Sequence, residues 1–283
     1  SCVCEPVCSG RERWKGTVVI ELKSAEEIEA MRPAGAFVGK ILEHLRETTT
    51  VGTNLLDIDN YVKGQIESRP DAQSCYVDYA PDFGTGPFRH YICTSVNDAV
   101  LHGMPYDYDL KDGDLVSLDL AINVGGWVGD SAISFVVGEN KRPEDLRLIQ
   151  CTEEALHAAI RKAVPGNRLG DISATIGEIA AGYGYPVNLE FGGHGVGHIM
   201  HGEPYVANDG RAGRGFRLRP GLVIAIEPWF FETTDELYQD ERDGWTLKSV
   251  DGSRGAHSEH TIAVTDDGPI VLTRRPNEKD FLR

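Results

Sequence analysis

Apolar and polar residues alternate along Leu115-Val-Ser-Leu-Asp119-Leu-Ala-Ile122, the period of two that a half-buried strand shows. The alternation stops at Asn123-Val-Gly-Gly126 and resumes along Trp127-Val-Gly-Asp130-Ser-Ala-Ile-Ser-Phe-Val137. Two such runs around a Gly-rich break predict a β-hairpin. A turn centred between Val124 and Gly125 sets Asp119 opposite Asp130, with their Cβ atoms about 5 Å apart. Two carboxylates that close, flanked by Leu, Ile and Val, need a shared cation or proton between them.

The remaining pattern is helical before this hairpin and again after it. Ser24-x-x-Glu27 is a capping box that opens a helix with Ile28, Met31, Val38, Ile41, Leu42 and Leu45 on one face. Pro33 lies early in that helix and marks a candidate kink. Thr53 or Asn54 caps a second helix to about Ser68, and residues 70–90 read as a Pro-, Asp- and Gly-rich loop. Short strands follow at about 91–96 and 98–102, before the hairpin. The second half repeats the order. A helix opens at Arg142-Pro and runs to about Val164. Asp171 caps another to about Tyr183. Strands are expected near 187–191, 222–229, 245–249, 256–265 and 269–273. Two helices and then antiparallel strands, twice over, predict an α+β fold with an internal duplication. Its cleft lies where the halves meet. The chain divides into an extension over 1–23, expected to be flexible, a catalytic domain over 24–275 and a polar tail over 276–283.

Composition narrows the function classes. With 44 acidic and 28 basic residues the net charge is −16, which disfavours nucleic acid and anionic membrane surfaces. No run approaches the ~20 apolar residues of a membrane span, and no secretory signal is visible, so a cytoplasmic location is expected. Cys2, Cys4 and Cys8 form an incomplete zinc pattern in the extension. Cys75, Cys93 and Cys151 are scattered and are expected to be reduced core or pocket residues.

Three further segments carry candidate ligands. Phe191-Gly-Gly-His194-Gly-Val-Gly-His198-Ile-Met-His201 surrounds an imidazole with glycines, so that the backbone can turn sharply and the ring can approach a crowded centre. The same run is a weak phosphate-loop signal, because no strand-to-helix junction with a following lysine accompanies it. Glu227 closes the apolar run Val223-Ile-Ala-Ile, an improbable place for a solvated acid. Glu259 leads into an alternating strand, while the flanking His257 and His260 read as second-rank or surface residues. Two Asp, two Glu and one His make an oxygen-dominated set suited to Mn, Fe, Co or Zn. Four carboxylates balance two divalent ions, which together lower the pKa of a shared water and polarise a carbonyl.

Several motifs in one order then resemble the type I methionine aminopeptidases over about residues 24–275. They are Val-Asn-Asp-Ala-Val-Leu-His102-Gly-Met-Pro, Ser-Leu-Asp119-Leu, Val-Gly-Asp130-Ser, Gly-His194-Gly-Val-Gly, Ala-Ile-Glu227-Pro and Ser-Glu259-His-Thr. The resemblance implies the pseudo-two-fold "pita-bread" fold, with a curved antiparallel sheet backed by helices. It also implies removal of the initiator methionine from nascent chains with a small second residue. In that reading Asp119 holds one metal, Asp130 and Glu259 bridge both, and His194 and Glu227 complete the other, with Glu227 as base. His102 meets the scissile nitrogen and His201 the carbonyl oxygen. Trp245 and Cys93 belong to the methionine pocket. The stretch Tyr76-Val-Asp-Tyr79 to Phe88 is longer than the family's tyrosine-rich segment, so Tyr79 and Phe88 stand in as aromatic walls. Met200 replaces a common aromatic residue.

The expected partners are peptide and nascent-protein N-termini, met by a monomer. A transient ribosome association is also carried as an expectation, although the extension lacks a full zinc-finger pattern for it. Two other readings remain open. A proline-directed aminopeptidase or prolidase on the same scaffold predicts a larger preceding domain, which the chain lacks. A non-catalytic pita-bread binding protein predicts lost ligands.

Overall fold

The computed structural model describes residues 19–82 and 84–283; the Cys2, Cys4 and Cys8 cluster lies outside them. The chain opens with α1 (Ala25–Thr48), where Ser24 Oγ accepts the Glu27 N–H and Glu27 returns the bond to the Ser24 N–H. The helix runs on through Pro33. Asn54 caps α2 (Leu55–Glu67) by accepting the Leu56 N–H. The first-half strands are β1 (Ala72–Ser74), β2 (Cys93–Val96), β3 (Ala99–Leu101), β4 (Leu115–Val124) and β5 (Trp127–Val136).

The second half restarts with α3 (Pro143–Arg161) and α4 (Leu169–Tyr183). Its strands are β6 (Gly193–Gly195), β7 (Gly202–Val206), β8 (Val223–Ile226), β9 (Trp229–Phe231) and β10 (Leu237–Gln239). They continue as β11 (Leu247–Ser249), β12 (Gly255–His257), β13 (His260–Ala263) and β14 (Ile270–Val271). Asp171 does not cap α4 as expected. It lies at the third helical position and accepts the Arg168 N–H, so the helix starts three residues earlier. A strand over 187–191 does not form. There the Asn188 side chain accepts the Glu190 N–H and donates to the Asp235 carbonyl, fixing a turn after Pro186.

Every ladder among the described strands is antiparallel. The first half builds a sheet on β1-β4-β2 with β5 on β4, and the second half builds β14-β13-β8-β6-β7. Each half has its own apolar core. One joins α1 and α2 to β4; the other joins α3 and α4 to β8 and β13. This is the duplicated α+β arrangement that the element order predicts.

The halves meet at a β3–β11 pairing and along β5, where the contact is mostly through hydroxyl groups rather than a continuous ladder. Ala132 and Glu259 exchange backbone bonds of 3.3 and 3.0 Å. On either side, Ser131 Oγ donates to the Glu259 carbonyl and Thr261 Oγ1 donates to the Asp130 carbonyl. On its outer face β5 packs against α1, and Gly129 permits this contact. A Cβ there would stand 2.8 Å from the Ala34 carbonyl oxygen.

Candidate metal centre and substrate pocket

Asp119 and Asp130 both lie mid-strand, in β4 and β5, but they are not directly opposed. Val124 pairs with Trp127, so Asp119 faces Ala132 and Asp130 faces Ala121. The turn uses Gly125 and Gly126, both at positive φ (62° and 93°), whereas the expected turn would place Val124 in that strained region. The carboxylates are therefore diagonal neighbours. They stay on one face because 119 and 121 differ by two residues. Burial is nearly complete: Asp119 is 3% exposed and Asp130 0%.

The other three candidate ligands come from breaks in the short strands of the second half. His194 is central in β6, between glycines that let it lie beside β8 at Ala225. Glu227 follows β8 immediately, where Pro228 has no N–H to continue the ladder and splits the expected 222–229 strand in two. Glu259 stands between β12 and β13, held by Ala132. His194 Nε2 lies 3.1 Å from Glu227, 3.4 Å from Asp130 and 3.9 Å from Glu259. Its Nδ1 is 2.9 Å from the Gly195 carbonyl, which fixes the ring and leaves Nε2 as the inward atom.

The electrostatics suit a cation. Burial, with Asp130 and Glu227 nearby, drives the Glu259 carboxyl well above the usual range. Burial likewise lifts Asp119 to about 6, with Asp130 adding to it. Burial opposes charge on His194, yet the carboxylates of Asp130 and Glu227 outweigh it and raise the imidazole to about 9. His194 Nε2 is buried with no hydrogen bond of normal geometry. A nitrogen so placed among four buried acids matches a divalent-cation donor set. Tyr76 was not singled out at the centre by the sequence pattern. It is fully buried and its hydroxyl donates to Asp119 at 2.9 Å.

Two further histidines border the acids. His201 packs edge-on against His194, with ring centroids 4.5 Å apart, and against Tyr79 at 5.8 Å. Burial, helped by His194, holds its pKa well below the ordinary value, so the ring stays neutral. His102 ends the β3 segment at φ 57°, a conformation uncommon outside glycine, and is 1% exposed against Phe191. Burial lowers it to about 3, so it is neutral too.

Beside the acids Tyr76, Tyr79, Phe88, Cys93, Met200 and Trp245 share one apolar cluster. The Trp245 ring meets Phe88 at 5.1 Å and Tyr79 at 6.3 Å. Cys93 pairs directly with Asp119 across β2 and β4, so the cluster adjoins the acids. Cys93 is disulfide-bonded rather than reduced, whereas Cys75 and Cys151 are free thiols. His257, read from sequence as a second-rank or surface residue, is 1% exposed and close to two of the acids. The signal that could have found it is its spacing of two from Glu259, which puts both on one face of an extended segment.

The profile of metallopeptidase family M24 matches residues 29–266. A methionine aminopeptidase of Aquifex aeolicus is 41% identical over 259 residues, covering 90% of this chain and 99% of the relative. Methionine aminopeptidase 1 of Mycobacterium tuberculosis is 39% identical over 270 residues, covering 92% and 97%. The crystal structure of methionine aminopeptidase from Rickettsia prowazekii superposes with a TM-score of 0.85 at 32% identity, covering 90% of this chain and all of that one. Prolidase from Pyrococcus furiosus is similar in fold alone, with a TM-score of 0.68 at 23% identity and 66% of its length covered.

Proposed function

Because the chain belongs to metallopeptidase family M24, we propose that it is a methionyl aminopeptidase that removes the N-terminal methionine of peptides and nascent proteins. The observation that carries this reading is the buried set of four carboxylates and His194 beside an apolar cluster that includes Phe88, Met200 and Trp245. A thioether side chain suits contact with such aromatic and thioether groups.

Asp119, Asp130, His194, Glu227 and Glu259 would hold two divalent ions. Bound there, Co, Mn, Fe or Zn would activate a water and polarise the scissile carbonyl. Glu227 takes the proton from the attacking water. His201 donates to the developing carbonyl oxyanion, a task for a neutral imidazole that keeps one N–H. His102 accepts or donates at the scissile nitrogen. Cys93, Tyr79, Phe88, Met200 and Trp245 hold the methionine side chain. A small second residue is preferred because both halves of the cleft close on the scissile bond. The catalytic unit spans residues 24–275, between an extension over 1–23 and the tail over 276–283. The enzyme works as a monomer in the cytoplasm, where nascent N-termini emerge, with transient ribosome contact. Among the described residues no helix is long and apolar enough to cross a membrane.

Metal-free protein reconstituted with Co, Mn, Fe or Zn in turn, and assayed on Met-Ala-Ser and Xaa-Pro peptides, tests the proposal. Metal-restored cleavage of Met-Ala-Ser is expected, with slower cleavage of a Met-Lys peptide. Cleavage of proline substrates alone would replace this reading with a prolidase.

A further inference from the structure

His257 ends β12 with its backbone clamped. Its N–H donates to Ser134 Oγ at 2.9 Å, and Ser134 Oγ lies 2.8 Å from its carbonyl oxygen. Ser134 is itself 2.7 Å from Ser117 Oγ, so the clamp is anchored in the β4–β5 hairpin. The imidazole points inward. Its Nε2 lies 3.3 Å from Glu227 Oε2, and its Nδ1 lies 3.7 Å from Asp119 Oδ2. Nε2 is buried and, like His194 Nε2, makes no hydrogen bond of normal geometry, Glu227 Oε2 being the acid atom it approaches at 3.3 Å. Ligand-type atoms of Asp119, Glu227, His257 and Glu259 all fall within 4.8 Å of one another.

Resting on the metallopeptidase reading above, we propose that His257 is a positioning residue of the metal centre, its Nε2–H holding Glu227 in the rotamer that serves both cation and water. The ring geometry separates this role from ligation. A ligating imidazole turns one nitrogen lone pair to an ion, whereas here two nitrogens face two carboxylates from opposite edges of one ring. The position is also unusual in its reach. His257 spans from the half that supplies Asp119 to the half that supplies Glu227, so one side chain adjusts the spacing of acids from both. Hydrogen-bond partners of metal-ligating residues set ligand orientation, and their loss lowers affinity about 10–100-fold.

The test compares His257→Ala, His257→Gln and His257→Asn by calorimetric titration of the metal-free proteins with Co(II), and by the visible absorption of the bound cobalt. A Gln amide reaches the Nε2 position, and an Asn amide reaches only the Nδ1 position. His257→Ala should bind cobalt about 10–100-fold more weakly. Gln should restore affinity to within about threefold with an unchanged cobalt spectrum, and Asn should stay weak. The Gln and Asn variants keep the comparison decisive if the alanine protein does not fold. Wild-type affinity in His257→Ala, rescue by Asn but not Gln, or a shifted cobalt band in the Gln variant would overturn the proposal. The last outcome would make His257 a direct ligand. Failure of the unaltered chain to take up cobalt would instead overturn the metallopeptidase reading itself.

Discussion

The two halves of the molecule deliver their acids in different ways. Asp119 and Asp130 stand in the middle of two ten-residue strands whose ladder is unbroken from Leu115–Val136 to Val124–Trp127. His194, Glu227 and Glu259 stand in or beside strands of three or four residues, at glycines, at a proline and at a gap. The first half is therefore a platform whose geometry comes from local pairing. The second half is a set of fingers, each positioned by what it packs against. Hydroxyl bonds along β5 transfer the order of the platform to the fingers. A functional site split in this way tolerates little slack at the seam, because side chains must be held to within about half an ångström to act together.

The sharpest way to break the contrast is at the finger proposed to supply the base. Glu227→Ala should lower kcat on a methionyl peptide by about 10²–10⁴, the range for losing a general base, with the far-ultraviolet circular dichroism unchanged. Turnover within tenfold of the parent would take the base role from Glu227. Next, His201→Ala should lower kcat by about 10²–10³ while bound metal, measured by atomic emission, stays at the parental level. Metal loss in step with activity would recast His201 as a ligand.

The seam itself gives a smaller effect. Thr261 Oγ1 accepts the Asp130 N–H at 3.1 Å and donates to the Asp130 carbonyl at 2.7 Å. Thr261→Val strands both buried backbone groups, so it should lower unfolding free energy by about 1–3 kcal/mol in denaturant titration. An unchanged midpoint would mean that the halves are held together elsewhere.

The smallest effect lies behind the fingers. His260 Nε2 lies 2.9 Å from Glu278 in the C-terminal segment, and Nδ1 lies 2.8 Å from Thr273. Burial resists the charge of Glu278, but His260 and Arg275 outweigh it and hold the carboxyl at about 2. A carboxyl depressed in the fold stabilises it above the unfolded-state pKa, near 4.5, and loses that contribution as pH falls toward 2. Glu278→Gln should thus be less stable at pH 7 by on the order of 1 kcal/mol, and the gap should close by pH 2 in thermal melts. A gap independent of pH would assign it to packing alone.

The same contrast explains what the chain's pattern reveals. The β4–β5 hairpin is legible because alternation over ten residues has one solution. Its register escaped by one step on each arm, since alternation cannot say which two residues take the positive φ of the turn; only Gly125 and Gly126 do so without strain. Ser24 is readable as a cap, and the second cap narrows to Thr53 or Asn54, because side-chain oxygens act locally. The short strands were not readable in this way. β7 and β10 carry no alternation long enough to notice, and they exist because β6 and β11 lie beside them. The strand expected from 245 starts only at Leu247, since the Asp243 carboxylate takes the N–H groups of Trp245 and Thr246. His257 reads as peripheral from the sequence because its neighbours in space, Asp119 and Glu227, are 138 and 30 residues away.

The tip of the long hairpin has a practical implication. Exposed two-residue turns are ordinarily the places where a chain accepts inserted sequence. Here the Gly126 carbonyl lies 2.7 Å from His198 Nδ1, Trp127 stacks on the same ring at 3.7 Å, and Val128 donates to the Gly197 carbonyl at 2.9 Å. The turn is latched onto the loop that leads to His201. An epitope tag or fluorophore spliced between Gly125 and Gly126 would pry that latch open, so labels belong at a tip such as the one at Gly252, where a Cβ would meet nothing within 4 Å, inserted beside that glycine and not in its place because its φ is 78°.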